Sequence, residues 1–95
     1  MTVRFEWDSN KAAINQQKHH VSFEEAATVF SDPLAVIFDD EEHSIEEIRE
    51  VIIGHSANNR LLLVSFTERV EAIRIISARQ ATRIERKDYE ENVHN

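Results

Sequence analysis

Residues 22–33 read SFEEAATVFSDP, and this stretch carries the clearest helix signal in the chain. Ser22 and Glu25 form a capping-box pattern, in which each side chain can accept a hydrogen bond from a free backbone N–H of the other residue. The helix is predicted to end at Pro33, because proline cannot continue it. One face is predicted to be core because small and apolar residues recur there at helical spacing: Phe23, Ala26, Ala27 and Phe30.

The segments on either side of this helix predict an α+β fold. Upstream, Asp8 or Ser9 can cap a helix that runs to about Lys18. Downstream, four apolar runs separated by turn residues predict strands: residues 34–38, 48–56, 60–69 and 72–79. A charged helical pattern over residues 81–91 offers only Ile84 and Tyr89 for burial. We therefore expect one domain over residues 1–95, with two N-terminal helices on a mostly antiparallel four-stranded sheet and a C-terminal helix.

The composition limits the classes of protein to consider. With 41% hydrophobic and 31% charged residues, the chain has the make-up of a folded globular domain. No run of residues is long and apolar enough for a membrane span or an export signal. The chain has no cysteine, which fits a reducing compartment. We expect a cytoplasmic protein without membrane contacts.

The net charge of −7 argues against general nucleic-acid binding, but the charge is unevenly distributed. Residues 1–47 contain three basic and eleven acidic residues, whereas residues 48–95 contain eight basic and seven acidic residues. Seven of those eight bases are arginine, which suits bidentate phosphate contacts. The acid run at residues 39–42 is most simply a solvated loop, and the alternative is docking of a basic partner protein.

Familiar catalytic motifs are missing from the sequence. Gly54 is the only glycine, so there is no glycine-rich phosphate loop. His19, His20 and His43 lie near acidic residues, but their spacing matches no metal-ligand pattern. A cluster of Lys, His, Glu and Arg remains, which can supply proton transfer and phosphate neutralisation for metal-free RNA cleavage.

His19 lies at a predicted helix end, where its imidazole can exchange protons near neutral pH. The structural alternative is that Lys18 and His19 only cap the helix and interact with its dipole. His20 would then occupy the left-handed position that usually follows a helix, at a cost of about 1 kcal/mol.

The predicted strands bring several polar residues to one face. If residues 47–49 are extended, Glu47 and Arg49 point to the same side of the sheet. On the next predicted strand, Ser65, Thr67 and Arg69 share one face. On the last predicted strand, Ser77 and Arg79 share one face. Arg74 points the other way from Arg79 unless a bulge intervenes. The structural alternative is a solvated sheet face with cross-strand ion pairs.

Over about residues 5–90, the chain resembles the BrnT toxin family. In the first half, the matching residues are Phe5-Glu6-Trp7-Asp8, Lys11-Ala12, Asn15, Lys18-His19, Val21-Ser22-Phe23-Glu24-Glu25-Ala26, Val29-Phe30 and Asp32-Pro33. In the second half, they are His43-Ser44, Glu47, Arg49, Ile53-Gly54, Arg74-Ile75-Ile76-Ser77-Ala78-Arg79, Ala81-Thr82, Glu85-Arg86 and Tyr89. Where family members commonly have Lys-His-Gly, this chain has Lys18-His19-His20.

The resemblance implies a RelE-like ribonuclease that slows growth by cutting RNA. It implies neutralisation by a BrnA-like antitoxin with a ribbon-helix-helix domain, so that operator DNA is contacted only through the antitoxin. We expect a metal-independent endoribonuclease without a cofactor. The predicted catalytic residues are His19, Glu47, Arg49 and Arg79, and the predicted RNA-binding residues are Lys18, Arg69, Arg74 and Ser77.

Two alternatives stay open. The first is a catalytically inactive homologue that acts only as a binding partner and co-repressor of a DNA-binding antitoxin. The charge of −7 and His20 favour this alternative. The second is a metal-dependent phosphoesterase, which would need the acid run and His43 to converge.

Overall fold

The computed structural model describes residues 3–43 and 47–93 of the chain. The helices in this part are α1 (Ser9–His19), α2 (Phe23–Thr28) and α3 (Arg83–Val93), with short 3-10 turns at Val29–Ser31 and Glu41–His43. The strands are β1 (Phe5–Glu6), β2 (Val36–Asp39), β3 (Glu50–His55), β4 (Leu61–Glu68) and β5 (Ile73–Gln80). The α+β class and the order of the predicted elements are confirmed.

The sheet differs from the prediction by one strand. Its order is β1-β5-β4-β3-β2, and the last four of these strands are antiparallel neighbours. β1 adds a fifth strand, parallel to β5, with Phe5 opposite Ile73. The prediction of four strands was therefore wrong, because a two-residue strand has too little pattern to be recognised before its partner is known.

The capping of α2 follows only half of the predicted pattern. The Ser22 hydroxyl accepts a hydrogen bond from the Glu25 backbone N–H at 3.0 Å. The Glu25 carboxylate accepts from the Ser56 hydroxyl at 2.7 Å and from the guanidinium of Arg60 instead of returning to Ser22. Arg60 holds the pKa of Glu25 below its ordinary value. This carboxylate joins α2 to the β3–β4 hairpin.

α1 and α2 cover one face of the sheet, and α3 covers part of the other. The main core combines residues of the helical segment with residues of four strands: Val21, Phe23, Ala26, Val29, Ile52, Leu62, Val64, Phe66, Ile75 and Ala78 among its buried members, with Phe5 packed against them. A smaller cluster of Ile53, Leu61 and Tyr89 lies under α3. Tyr89 was correctly predicted to be buried. The same prediction was wrong for Ile84, which is 73% exposed.

α1 ends in the geometry that the sequence predicts. His20 has φ 57° and ψ 34°, which is left-handed backbone, and its N–H donates to the Gln16 carbonyl oxygen at 3.0 Å. Asn59, in the predicted β3–β4 turn, is the other non-glycine residue with positive φ among those the structure describes. Left-handed backbone costs His20 about 1 kcal/mol because its Cβ approaches the following carbonyl.

Replacing His20 by glycine should therefore stabilise the protein. The expected gain of about 1 kcal/mol raises the melting temperature by about 4–8 °C in a domain of this size. The measurement is thermal unfolding followed by circular dichroism. Asn59→Gly is the matched control, and its gain should be smaller because asparagine tolerates left-handed backbone. A melting temperature for His20→Gly at or below that of the parent would contradict the argument.

Candidate active site

A cavity of about 520 Å³ opens on the sheet face opposite α1 and α2. It lies between the last residue of α1, the ends of β2 and β5, and the first turn of α3. The polar residues that line it come from five elements and the loop after β2: His19, Asp39, Asp40, Ser65, Ser77, Arg79 and Glu85. The cavity is therefore a junction of elements that are far apart in the sequence.

Strand register explains why these side chains face the cavity. Ser65 lies opposite Ser77, and Leu63 lies opposite Arg79, in the antiparallel pairing of β4 with β5. Because side chains alternate along a strand, Val64 and Ala78 point into the main core while their neighbours point to the cavity. The predicted common face of Ser77 and Arg79 has this physical basis.

A bulge in β5 changes which arginines share a face. Ser65 is opposite Ser77, but the next residue, Phe66, is opposite Ile75, so Ile76 is an extra residue in β5. Ile75 and Ala78 consequently both pack in the main core although they are three residues apart. Arg74 and Arg79 therefore lie on the same side of the sheet, which corrects the expectation from strict alternation.

Arg79 and Glu85 form a bidentate ion pair at the cavity wall. The Nη1 and Nη2 atoms of Arg79 donate to Oε1 and Oε2 of Glu85 at 2.7 and 2.8 Å. Glu85 also forms a capping box with Thr82, since Oε1 accepts from the Thr82 N–H at 2.8 Å and the Thr82 hydroxyl accepts from the Glu85 N–H at 3.2 Å. Arg79 lowers the pKa of Glu85 to about 2. The guanidinium charge is thus balanced, and one carboxylate joins α3 to β5.

Asn15 connects α1 to the same part of β5. Its side-chain N–H groups donate to the carbonyl oxygens of Val21 at 2.9 Å and Ala78 at 2.8 Å. Its side-chain oxygen accepts from the Ala78 N–H at 3.1 Å. Only 6% of Asn15 is exposed, so these bonds form in the interior. They hold the end of α1, and with it His19, next to Ser77 and Arg79.

Other predicted site residues lie outside the cavity. β3 begins at Glu50, so Glu47 and Arg49 lie before the strand and do not share a strand face as predicted. Glu47 and Arg69 form an exposed ion pair at 3.2 Å. Arg74 Nη1 is 2.9 Å from Oε2 of Glu6. For both pairs, the structure agrees with the alternative of ion pairs on a solvated surface.

Lys18 and Arg49 lie beside the cavity without lining it. Lys18 borders an adjacent groove that shares His19 with the cavity. The Arg49 carbonyl oxygen accepts from the N–H of Asp40, which does line the cavity.

The sequence analysis did not indicate three of the polar lining residues, Asp39, Asp40 and Glu85. Asp39 and Asp40 belong to an acid run for which a solvated loop is the simplest expectation. Glu85 could have been found from Thr82, which lies three residues before it in a capping-box pattern. The contact of Glu85 with Arg79 required the β5–α3 turn.

No group of three or more His, Asp or Glu side chains within residues 3–43 and 47–93 could hold a metal ion. The metal-dependent alternative relied on His43, whose side chain lies outside the described part. Within the same ranges, no helix is long and apolar enough to cross a membrane.

Comparisons with known proteins agree on one family. The family model for BrnT, described as the ribonuclease toxin of a type II toxin–antitoxin system, matches residues 7–85. The crystal structure of the Brucella abortus ribonuclease toxin BrnT is similar, with a TM-score of 0.68 and 25% sequence identity over 86% of this chain and 100% of that chain. No curated protein matches the sequence. The chain therefore belongs to the BrnT family of ribonuclease toxins of type II toxin–antitoxin systems.

Proposed function

We propose that this protein is a metal-independent endoribonuclease that inhibits growth by cleaving RNA in the cavity between α1, the sheet and α3. The observation that carries the proposal is that His19, Ser77 and Arg79 line one cavity of about 520 Å³. The family description, a ribonuclease toxin, supports the same reaction class.

The proposed chemistry is transfer of a phosphoryl group within RNA, in which a bond from phosphorus to the 2′-oxygen forms and the bond from phosphorus to the 5′-oxygen breaks. A 2′-hydroxyl loses its proton and attacks the adjacent phosphorus, and the 5′-oxygen of the next nucleotide leaves with a proton. His19 can transfer one of these protons. Arg79 can stabilise the charge that gathers on the phosphoryl oxygens, and Ser77 can donate a hydrogen bond to them.

We propose a different second proton-transfer group from the one that the sequence indicated. Glu47 was the sequence-based candidate, but it pairs with Arg69 away from the cavity. Asp40 is partly buried and lines the cavity. We therefore propose that Asp40, rather than Glu47, exchanges the other proton with RNA.

The ion pair between Glu85 and Arg79 affects how strongly Arg79 can bind phosphate. A phosphate that binds Arg79 must compete with the Glu85 carboxylate, which already makes two hydrogen bonds to the guanidinium. The same ion pair favours the second candidate function, an inactive homologue that only binds an antitoxin, because a balanced guanidinium attracts phosphate less.

These two functions can be distinguished by incubating the purified protein with RNA in the presence and absence of EDTA. Metal-independent cleavage, together with growth arrest after induction of the gene alone, supports the nuclease. Intact RNA and normal growth, with retained binding to the antitoxin, support the inactive homologue. Cleavage that EDTA abolishes would overturn metal independence.

We also propose that a BrnA-like ribbon-helix-helix antitoxin docks on the β2 edge. β2 is the terminal strand of the sheet among the described residues, so one side of its backbone is unpaired. Ile37 and Phe38 are 51% and 47% exposed there. The acid run at residues 39–42 follows directly, and Asp39, Glu41 and Glu42 are exposed. Apolar contacts beside acidic residues suit a basic antitoxin segment.

The association rate with the antitoxin should fall as salt rises. Electrostatic steering between a basic partner and the acid run is screened when the Debye length shrinks from about 30 Å at 0.01 M to about 10 Å at 0.1 M salt. Stopped-flow mixing measures this rate. Glu41→Gln/Glu42→Gln should flatten the salt dependence, whereas Glu90→Gln/Glu91→Gln, the matched pair on α3, should leave it unchanged. An association rate that is the same at low and high salt would count against the proposal.

A further inference from the structure

A second groove runs along α1 and joins the cavity. It is lined by Lys11, Ile14, Asn15, Lys18, His19, Ile76 and Ser77. His19 and Ser77 line both the groove and the cavity. The two depressions are therefore adjacent, and both border the residues proposed to contact the scissile phosphate.

The α1 side of this groove carries two cations and an apolar residue on one helix face. Lys11, Ile14 and Lys18 are separated by three, four and seven positions, so they lie on the same side of α1. Ile14 is 57% exposed. Lys11 and Lys18 are exposed, and neither forms an ion pair with any residue in the described part of the chain.

The charge distribution makes this groove distinctive. Residues 1–47 contain eleven acidic residues and only three basic ones, Arg4, Lys11 and Lys18. Two of those three border the groove. The acidic residue nearest in sequence to the groove, Asp8, uses its carboxylate to cap α1, accepting from the N–H groups of Asn10 and Lys11 at 2.8 and 3.0 Å. The Asp8 carboxylate stays charged and also interacts with Lys11. Two of the three basic residues of an otherwise acidic half are nevertheless gathered at this groove, and Lys18 lies at the end nearer the cavity.

We propose that this groove binds the single-stranded RNA that flanks the cleaved phosphate. Lys11 and Lys18 are about 10 Å apart along the helix axis, so their ammonium groups can contact successive phosphates. Ile14 and Ile76 offer apolar surface to an unstacked base. This inference rests on the proposed function, because the groove is useful only as a continuation of the RNA site.

The test measures RNA binding separately from RNA cleavage. The probe is a short fluorescein-labelled 2′-O-methyl RNA, which lacks the attacking hydroxyl and stays intact, and its affinity is followed by anisotropy over a range of salt concentrations. Each phosphate contact on a single strand contributes about 0.7 to the slope of log affinity against log salt. Lys11→Ala/Lys18→Ala should therefore reduce the slope by about 1.4. Ile14→Gln should weaken binding at all salt concentrations without changing the slope.

Lys87→Ala is the matched control, because Lys87 is the only other lysine in the chain and is exposed on α3. Its slope should equal that of the parent. The inference is overturned if the double lysine variant keeps the parent slope, or if the parent does not bind the probe. Unmodified RNA is tested in parallel. If the parent cleaves unmodified RNA but the double lysine variant keeps the parent slope, the groove proposal is refuted and the nuclease proposal stands. If the double lysine variant lowers the slope but the parent does not cleave RNA, the groove proposal is supported and the nuclease proposal is refuted.

Discussion

Replacing Arg79 by alanine is expected to lower RNA cleavage by about 10²–10³-fold, because loss of one pre-organised donor to a developing oxyanion commonly has that effect. Among the described residues, Arg79 is the one arginine that lines the cavity. Its Nη1 and Nη2 groups lie in one plane, which suits contacts with two phosphoryl oxygens. Growth inhibition after induction should disappear with the cleavage. Arg79→Lys keeps the charge but loses the two-pronged geometry, so its activity should be intermediate.

Arg74→Ala is the matched control for this experiment. Arg74 lies on the same sheet face and also forms an ion pair, with Glu6, but it does not line the cavity. An exposed pair of that kind contributes about 0–1 kcal/mol to stability, so cleavage should be close to that of the parent. Circular dichroism must show that Arg79→Ala is folded, because the substitution also leaves Glu85 without its partner. A folded Arg79→Ala variant that cleaves RNA at the parent rate would place the active site elsewhere.

The ion pair between Arg79 and Glu85 should persist across the range in which histidines ordinarily titrate. Arg79 lowers the pKa of Glu85 to about 2, from an ordinary value of 4.5. A carboxylate with a lowered pKa stabilises the folded state above its unfolded pKa, and this contribution is lost as the pH falls from about 4.5 towards 2. Between pH 5 and 8, a change in activity should therefore not come from loss of this ion pair.

The parts of the fold that the sequence predicts are those with strong local patterns. The α2 helix has a cap and a periodic apolar face, and β4 alternates, with Leu62, Val64 and Phe66 in the core. The helix is shorter than predicted, since α2 ends at Thr28 and a 3-10 turn continues to Ser31 before Pro33. The left-handed His20 followed from the need for such a residue after a helix. In each of these cases, residues that are close in the sequence are enough to predict the local structure.

The parts that could not be predicted depend on contacts between distant segments. The extra residue in β5, Ile76, is defined only by its pairing with β4, and it decides which face Arg74 takes. Glu47 matched a strand pattern, but β3 begins later, at Glu50. Glu25 matched a capping box, but Arg60, which is 35 residues away, provides a charged partner for its carboxylate. Tertiary ion pairs therefore replaced the local interactions that the sequence suggested.

Replacing Asn15 by alanine should cause the largest loss of stability among the substitutions considered. Asn15 makes three buried hydrogen bonds, two to Ala78 and one to Val21. Each bond contributes about 0.5–1.5 kcal/mol, and each buried backbone group left unpaired costs about 1–3 kcal/mol. Allowing for partial relaxation, we expect a loss of about 2–4 kcal/mol, which is a large fraction of the 5–15 kcal/mol that stabilises a typical domain.

The predicted fall in melting temperature is about 10–30 °C, measured by thermal unfolding with circular dichroism. Gln17→Ala is the matched control, since Gln17 is exposed on the same helix and alanine is a better helix former. If Asn15→Ala melts as high as Gln17→Ala, then the three bonds do not anchor α1. Asn15→Asp separates the two halves of the interaction, because aspartate can still accept from the Ala78 N–H but cannot donate to either carbonyl oxygen. Its stability should be no higher than that of Asn15→Ala, because both donated bonds are lost and the buried carboxylate would face the two carbonyl oxygens that accepted them.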